Sequence, residues 1–415
     1  MENKKNVLIV GYGASAYTIA QILSGYKNLK IFVAPGSDSI SEFATIIDIR
    51  DSKELLDFVL ENDINLTIVT DENKKSDIAT IFQNHNQPIF CPTNSSSEIC
   101  DSKVTGKKFM YQNGIPCPSF GVFDKANFAI NYLEKANYPV VLKTEYHQKR
   151  GISICNNITE ARSFIENIFA VGEKRILVED YIWGHEFSFY VITDGYQAIP
   201  IGCVATYKYE LEGNGGRISS GMGAFSDNYR ISNELKQKIM HQVINPALQS
   251  LADNQKPYVG ILGVDLVIDE NDNIYTIEFN KFLKSPDAQV VLELIDDNLF
   301  NLFEACAIGS FADDYENIKF KDEHAVSCVL CSGKIPSKIE GLENLDDRTI
   351  VAHQNTKKTD DGYETNGGQT IVLTRKSKLL SRAVKDLYEE VDIINYNGKK
   401  YRKDIKKTRR IFRLL

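Results

Sequence analysis

Pro139-Val140-Val141-Leu142-Lys143 and Ile277-Glu278-Phe279-Asn280 are the two stretches on which the architecture turns. The first reads as a buried strand that delivers a lysine at its end. A polar loop, residues 144–150, follows with Lys149 and Arg150, and it is long enough to fold over phosphates. In the second stretch Glu278 and Asn280 are two apart on a strand, so the side-chain period of two sends both to one face. Oxygen ligands in that arrangement suit a hard cation such as Mg2+ shared with nucleotide phosphates. Between the two lie Leu177-Val178-Glu179-Asp180-Tyr181 and Gly184-His185-Glu186. Taken singly, Lys143 reads as a solvated strand end, Glu278 and Asn280 as a hydrated sheet face, and Glu186 as an exposed carboxylate. Their order and separation along one chain favour a site for phosphates and a cation.

Working toward the N-terminus, the first hundred residues alternate. Residues 6–10, 29–34, 45–49, 64–69 and 88–90 read as strands, and 14–24, 53–62 and 74–84 as helices. That alternation means βαβ units and a parallel sheet, with a binding crevice at the carboxyl ends of its strands. Gly11-Tyr12-Gly13-Ala14-Ser15-Ala16 resembles a dinucleotide fingerprint. The second strand, however, ends Val33-Ala34-Pro35-Gly36, without the carboxylate that would hold a ribose. A nicotinamide or flavin nucleotide is therefore disfavoured. A tight turn, or an anion on the helix N-terminus, is the better reading.

From residue 102 the pattern changes. Residues 102–113 read as a helix, 114–118 as a breaker, and 138–143, 151–155, 175–180, 187–193 and 198–206 as strands. A long helix over 232–251 carries Pro246, and 260–268 and 274–280 form a hairpin across Asp269-Glu270-Asn271-Asp272-Asn273. After 322 come strands near 325–332, 349–353 and 369–374, a helix over 377–390, and a basic tail. The expected fold class is α/β and α+β, multidomain. The expected boundaries are 1–101, 102–315 with a flap over about 123–192, and 322–415.

The 415 residues carry 48 Lys and Arg against 56 Asp and Glu, a net charge of −8. A mildly acidic chain is a poor general nucleic-acid binder. The nine basic residues between Lys399 and Arg413 read as a solvated end, since only Tyr401 and Phe412 offer rings for stacking. No apolar run approaches the ~18 residues of a membrane span. The opening Val7–Val10 run is shorter than the roughly 7–15 residues of a secretory signal. A cytoplasmic protein is expected. The eight cysteines are scattered and read as reduced, buried thiols. In Cys328-x-x-Cys331 the odd offset on a strand points the pair to opposite faces, which argues against a metal or redox site.

The chain resembles the ATP-grasp superfamily and, within it, the phosphoribosylamine–glycine ligase (glycinamide ribonucleotide synthetase) family. The resemblance runs nearly end to end. It rests on Val33-Ala34-Pro35-Gly36, Ser102-Lys103, Lys107-Lys108-Phe109-Met110, Gly114-Ile115-Pro116, Pro139–Lys143, Glu179-Asp180-Tyr181 and Gly184-His185-Glu186. It continues through Ser220-Gly221-Met222-Gly223-Ala224-Phe225, Glu278-Phe279-Asn280, Pro286-Asp287-Ala288-Gln289, Asn366-Gly367-Gly368 and Tyr401-Arg402-Lys403-Asp404-Ile405. It implies an N-terminal pre-ATP-grasp domain, a central ATP-grasp fold and a small β-rich C-terminal domain.

It also implies ATP between two β-rich lobes. Lys103, Lys143 and Arg150 would contact its phosphates, Glu179, Asp180 and Tyr181 would line the adenine pocket, and Glu186 would hold the ribose hydroxyls. Glu278 and Asn280 would hold Mg2+ or Mn2+, and Lys143, Lys208, Ser220 and Gly221 would serve the chemistry. The implied reaction joins an amino acid, glycine, to a phosphorylated amine, phosphoribosylamine, through an acyl phosphate in purine biosynthesis, in a monomer or homodimer with no nucleic-acid or membrane partner. Phosphoryl transfer of this kind needs positioning and positive charge more than covalent help.

The departures fall on the substrate side. Tyr12-Gly13-Ala14-Ser15-Ala16 lacks the family's Arg, Glu and His. Phe282 and Gln369 stand where it has arginines, and Tyr207-Lys208-Tyr209 replaces its H-K-R. An arginine fork that holds an anion bidentately is not replaced by Phe or Gln. A rebuilt set is expected for the phosphorylated amine: the N–H groups of the turn at residues 11–15, the Ser15 hydroxyl, and Lys208, Lys281 and Lys284. The alternatives are a sister ATP-grasp ligase with another acid and amine, and a paralogue that binds ATP without turnover.

Overall fold

A computed structural model describes residues 4–70, 77–146, 151–227 and 231–406. The first unit is a parallel sheet of five strands in the order Thr45–Ile46, Leu29–Pro35, Lys5–Gly11, Ile64–Val69, Ile89–Phe90. Its central strands are runs of Val, Ile and Leu because helices cover both faces. Helix Gly13–Ser24 packs on one face and Ser52–Glu61 on the other, the latter capped by Asp51, which accepts from the N–H groups of Lys53 and Glu54. Strand order reverses about Lys5–Gly11, which opens the crevice at the turn after Gly11. That turn is already engaged. Ala14 N donates to Gln354 Oε1 at 2.7 Å, and Ser15 Oγ donates to the Leu283 carbonyl at 3.2 Å. Two of the groups expected to be open at this turn, the Ala14 N–H and the Ser15 hydroxyl, are therefore already engaged.

A second, separate sheet has four antiparallel strands in the order Phe120–Phe123, Ile176–Asp180, Val140–Thr144, Ile152–Cys155. Helices Ala126–Leu133 and Ile158–Ala170 back it through Leu133, Val140, Leu142, Ile165 and Val178. This lobe stops short of the residue 192 expected from sequence. Strand His185–Asp194 instead pairs along its whole length with Val259–Ile268 in the central sheet, because its apolar residues are buried there.

The central sheet has eight antiparallel strands: Ile274–Lys281, Val259–Ile268, His185–Asp194, Ala198–Thr206, Gly223–Ser226, His324–Ser332, Gly368–Ser377, Ile350–His353. Among the described residues, the strands after 322 thus extend this sheet and form none of their own beyond a small one at Lys338–Ile339, Thr356–Thr359 and Gly362–Thr365. The expected helix over 232–251 is three pieces, with a π turn at Met240–Ile244. Pro246 has no N–H to give the preceding turn, so the ladder widens there. Cys328 and Cys331 do face opposite sides, toward the Arg402 carbonyl and Met222 respectively. Among the described residues no helix is long and apolar enough to cross a membrane.

Candidate active site

A cavity of about 690 Å3 lies between the four-stranded lobe and the central sheet, within the usual size of a small-ligand site. Val141, Ile152 and Ile154 from the lobe face Val267 and Ile277 from the central sheet, with Ile182 and Trp183 at the connection. That makes a flat apolar slot closed at one end by polar groups. Tyr181 and Trp183 meet edge to face with ring centroids 4.8 Å apart.

The polar end is a chain of alternating charges. Lys143 Nζ, at the end of Val140–Thr144, donates to Glu179 Oε2 at 2.8 Å, and Lys107 Nζ lies 3.6 Å from Glu179 Oε1. Burial alone would lower the Lys143 pKa, but the carboxylates of Glu179 and Glu278 outweigh it and hold the ammonium above its ordinary value. For Lys107 burial prevails over Glu179, and its pKa falls to about 8.

Glu278 and Asn280 both reach the cavity wall, and Asp265 stands directly across the strand pair from Glu278. Two carboxylates directly opposite repel, so each needs a cation. Glu278 pairs with Lys103. Asp265 accepts from Lys208 Nζ at 2.6 Å and from Ser188 Oγ at 2.6 Å. Burial would raise the Glu278 pKa, but Lys103, Lys143 and Lys208 together hold it well below the usual carboxylate range. Lys208 also donates to Glu186 Oε1 at 2.9 Å. Despite burial, these carboxylates hold Lys208 well above its ordinary pKa.

Of the residues singled out from sequence, Lys143, Glu179, Asp180, Tyr181, Glu186, Lys208, Ser220, Glu278 and Asn280 line this cavity. Lys103 does not; its buried ammonium approaches from behind Glu278 and lines a small interior space with Lys107. Gly221 lies just behind the wall, at φ +128°, and a Cβ there would meet Pro286 at 2.6 Å, so only glycine fits. Arg150 falls outside the described residues.

Several wall residues escaped the sequence reading. Asp265 is a lone carboxylate in the otherwise apolar strand Val259–Ile268, and that isolation was the available signal. Trp183, Ser188, Tyr190 and Thr206 carried none. Phe282 puts its ring on the wall from a left-handed backbone, φ +65°, which is uncommon for a bulky residue and costs about 1–3 kcal/mol. Gln369 holds the neighbouring loop, accepting from Ser220 Oγ at 3.1 Å and donating to the Gly221 carbonyl at 2.6 Å.

Asp287 closes the far end. It accepts from Tyr190 OH at 2.6 Å and Thr206 Oγ1 at 2.8 Å, and burial pushes its pKa up to about 6 against those hydrogen bonds. Between about pH 4 and 6 the folded chain therefore binds this proton more tightly than the unfolded chain. Its contribution falls as pH rises through that window. Urea unfolding of wild type and Asp287→Asn at pH 4 and pH 7 is expected to show the variant gaining on wild type by about 2 kcal/mol as pH rises, most of the linkage that the shift allows.

A lysine-rich, carboxylate-rich cleft between a four-stranded lobe and a larger antiparallel sheet is the arrangement of the ATP-grasp proteins. The chain belongs to the phosphoribosylglycinamide synthetase family, whose N, ATP-grasp and C domains match residues 5–99, 101–288 and 326–408. The phosphoribosylamine–glycine ligase of Halalkalibacterium halodurans is 29% identical over 96% of this chain and 96% of its own length. That of Clostridium acetobutylicum is 27% identical over 97% of this chain and all of its own. In fold, the crystal structure of phosphoribosylamine–glycine ligase from Thermotoga maritima superposes with a TM-score of 0.83 at 20% identity, covering 96% of this chain and 100% of that one. The biotin carboxylase domain of Hydrogenobacter thermophilus 2-oxoglutarate carboxylase, solved with MgADP, superposes at 0.73 and 18% identity, over 96% of this chain and 92% of that one.

Proposed function

We propose that this chain is an ATP-dependent carboxylate–amine ligase that joins glycine to phosphoribosylamine through an acyl phosphate. The observation that carries the reading is the cleft itself: an apolar slot leading to Lys143, Lys208, Glu278, Asn280 and Asp265, in a chain that matches the ligase family over all three of its domains. The slot takes the adenine between Val141, Ile154, Val267 and Ile277, beside the chain at 179–182. Glu186 faces the ribose hydroxyls. The oxygens of Glu278, Asn280 and Asp265 form a donor set that suits Mg2+ or Mn2+ shared with phosphates.

A divalent cation at that set would neutralise charge on the transferring phosphoryl group. The lysines do the rest. Lys143 and Lys208 are held charged by their carboxylate partners, so they stand ready to bind phosphate oxygens and orient the γ-phosphate toward the glycine carboxylate. Lys103 stays with Glu278 and fixes its direction. Ser219 and Ser220, backed by Gly221, line the position where the acyl phosphate meets the amine, and the Asp287 carboxyl lies within that end of the cavity.

A second reading, a sister ligase with another amine, is favoured by Phe282 and Gln369 at the arginine positions and by Gln354 on the first turn. Supplying phosphoribosylamine, glycine and Mg-ATP and seeking glycinamide ribonucleotide by mass spectrometry separates the two. Product formation is expected. ADP release driven only by a different acid and amine replaces this reading with the second. No ADP release with any pair, while MgADP quenches the emission of Trp183, the chain's one tryptophan, leaves a binding protein without turnover.

A further inference from the structure

Tyr401-Arg402-Lys403-Asp404-Ile405 has no part in the function proposed above, and none of its residues lines the cavity. Its contacts nevertheless converge on the hairpin that does. Arg402 is 1% exposed. Its Nε and Nη2 donate to the Asp404 carboxylate at 2.7 and 2.6 Å, a bidentate fork. Its Nη1 donates to the Tyr209 carbonyl at 3.1 Å and to Asn214 Oδ1 at 3.3 Å, and the guanidinium lies 4.7 Å over the Tyr207 ring. Neighbouring atoms add to the grip. Asp404 Oδ2 accepts from Gly213 N at 3.0 Å, Glu212 Oε1 from Lys403 N at 3.3 Å, and Tyr207 OH from Lys406 N at 2.6 Å. The segment itself is pinned to helix Leu380–Ile393, where Tyr388 OH donates to the Arg402 carbonyl at 2.9 Å and accepts from Ile405 N at 3.0 Å.

Arg402 thus holds the residue on each side of Lys208, the ring of one and the carbonyl of the other. The Lys208 carbonyl is held too, by Ser219 N at 2.6 Å and Ser219 Oγ at 3.0 Å. The hairpin between them, Tyr209–Leu211 with Gly215–Ile218, supplies Tyr209, Asn214 and Ile218 to the cavity wall. Only a planar fork with five donors can meet a carboxylate, a carbonyl, an amide oxygen and a ring face at once; a lysine offers one point charge.

We infer that Arg402 is a positioning residue, which acts through Tyr207 and Tyr209 to set Lys208 and the hairpin wall against a nucleotide in the cavity. The inference rests on the nucleotide reading above. Its test compares Arg402→Lys with Glu212→Ala, an exposed change that loosens the strap and leaves the buried charge alone. MgADP affinity is read from Trp183 quenching, KM for ATP and kcat from ADP release, and folding from the thermal midpoint. Arg402→Lys is expected to weaken MgADP and raise KM for ATP about tenfold, and Glu212→Ala about two- to threefold with an unchanged midpoint. Folded variants with wild-type affinity and KM overturn the inference, as does a lowered midpoint with both constants unchanged. If Arg402→Lys does not fold, Glu212→Ala decides alone. Wild type that binds no MgADP overturns the nucleotide reading first, and this inference with it.

Discussion

Glu278→Gln is expected to lower ADP formation about a thousandfold, the scale on which a single preorganised charge contact acts in phosphoryl and acyl transfer. The amide keeps the shape and loses the negative charge that the cation needs. The same change leaves the Lys103 ammonium buried without its counter-charge, and breaking such a pair costs about 3–5 kcal/mol. A fall in the thermal midpoint is therefore expected alongside the lost activity. The double variant Lys103→Met with Glu278→Gln separates the two effects. It removes the orphaned charge, so the midpoint recovers, while turnover stays lost because no carboxylate is restored. Wild-type turnover in the single variant, or recovery of turnover in the double, would show that Glu278 serves the fold and not the reaction.

Lys143→Met is expected to cut kcat/KM for ATP about a hundredfold, with the loss shared between weaker binding and slower transfer. Stability should suffer less than at Glu278. Glu179 loses Lys143 but keeps Lys107 at 3.6 Å, so its charge is not orphaned. Removing the neighbouring like charge should also let the Lys107 pKa rise from about 8, since Lys143 is among the groups that depress it. Steady-state kinetics at saturating glycine and amine checks the first point, and unfolding at pH 7 and 9 the second. A Lys143→Met enzyme with an unaltered KM and kcat would remove this lysine from the nucleotide site.

The parts of the fold that were legible in the sequence are those fixed by local pattern. The parallel sheet showed in its βαβ alternation, and Val259–Ile268 with Ile274–Lys281 in the Asp/Asn-rich turn between two apolar runs. Glu278 and Asn280 were legible because the strand period puts them on one face. What local pattern does not encode is which strands meet across the chain. Nothing within His185–Asp194 states that it joins the central sheet, or that His324–Ser332 pairs with the short Gly223–Ser226. The same blindness covers the site. Asp265 acquires meaning only from the register that sets it against Glu278, and Asp287 only from Tyr190 and Thr206, 97 and 81 residues away. At the turn of residues 11–15 the sequence leaves a tight turn and an anion site both open, because Gln354, which accepts from Ala14 N there, arrives from 340 residues downstream.

The unbroken eight-stranded sheet has a mechanical consequence. Eight strands drawn from residues 185–377 share one hydrogen-bonded ladder, so the middle and end of the chain form a single chassis that cannot part without tearing that ladder. The first unit is riveted to it by Gln354, Gln289 and the Lys5–Glu304 pair. The four-stranded lobe shares no strand with that ladder; two chain crossings join it, one before Phe120 and one after Asp180, along with Ser102 Oγ and Lys103 N, which donate to the Glu145 carboxylate and carbonyl. Gly184 sits in the second crossing so close to the Ile268 carbonyl that no side chain fits. On the nucleotide reading proposed above, admitting ATP and releasing ADP would call on this lobe and not on the ladder beneath it.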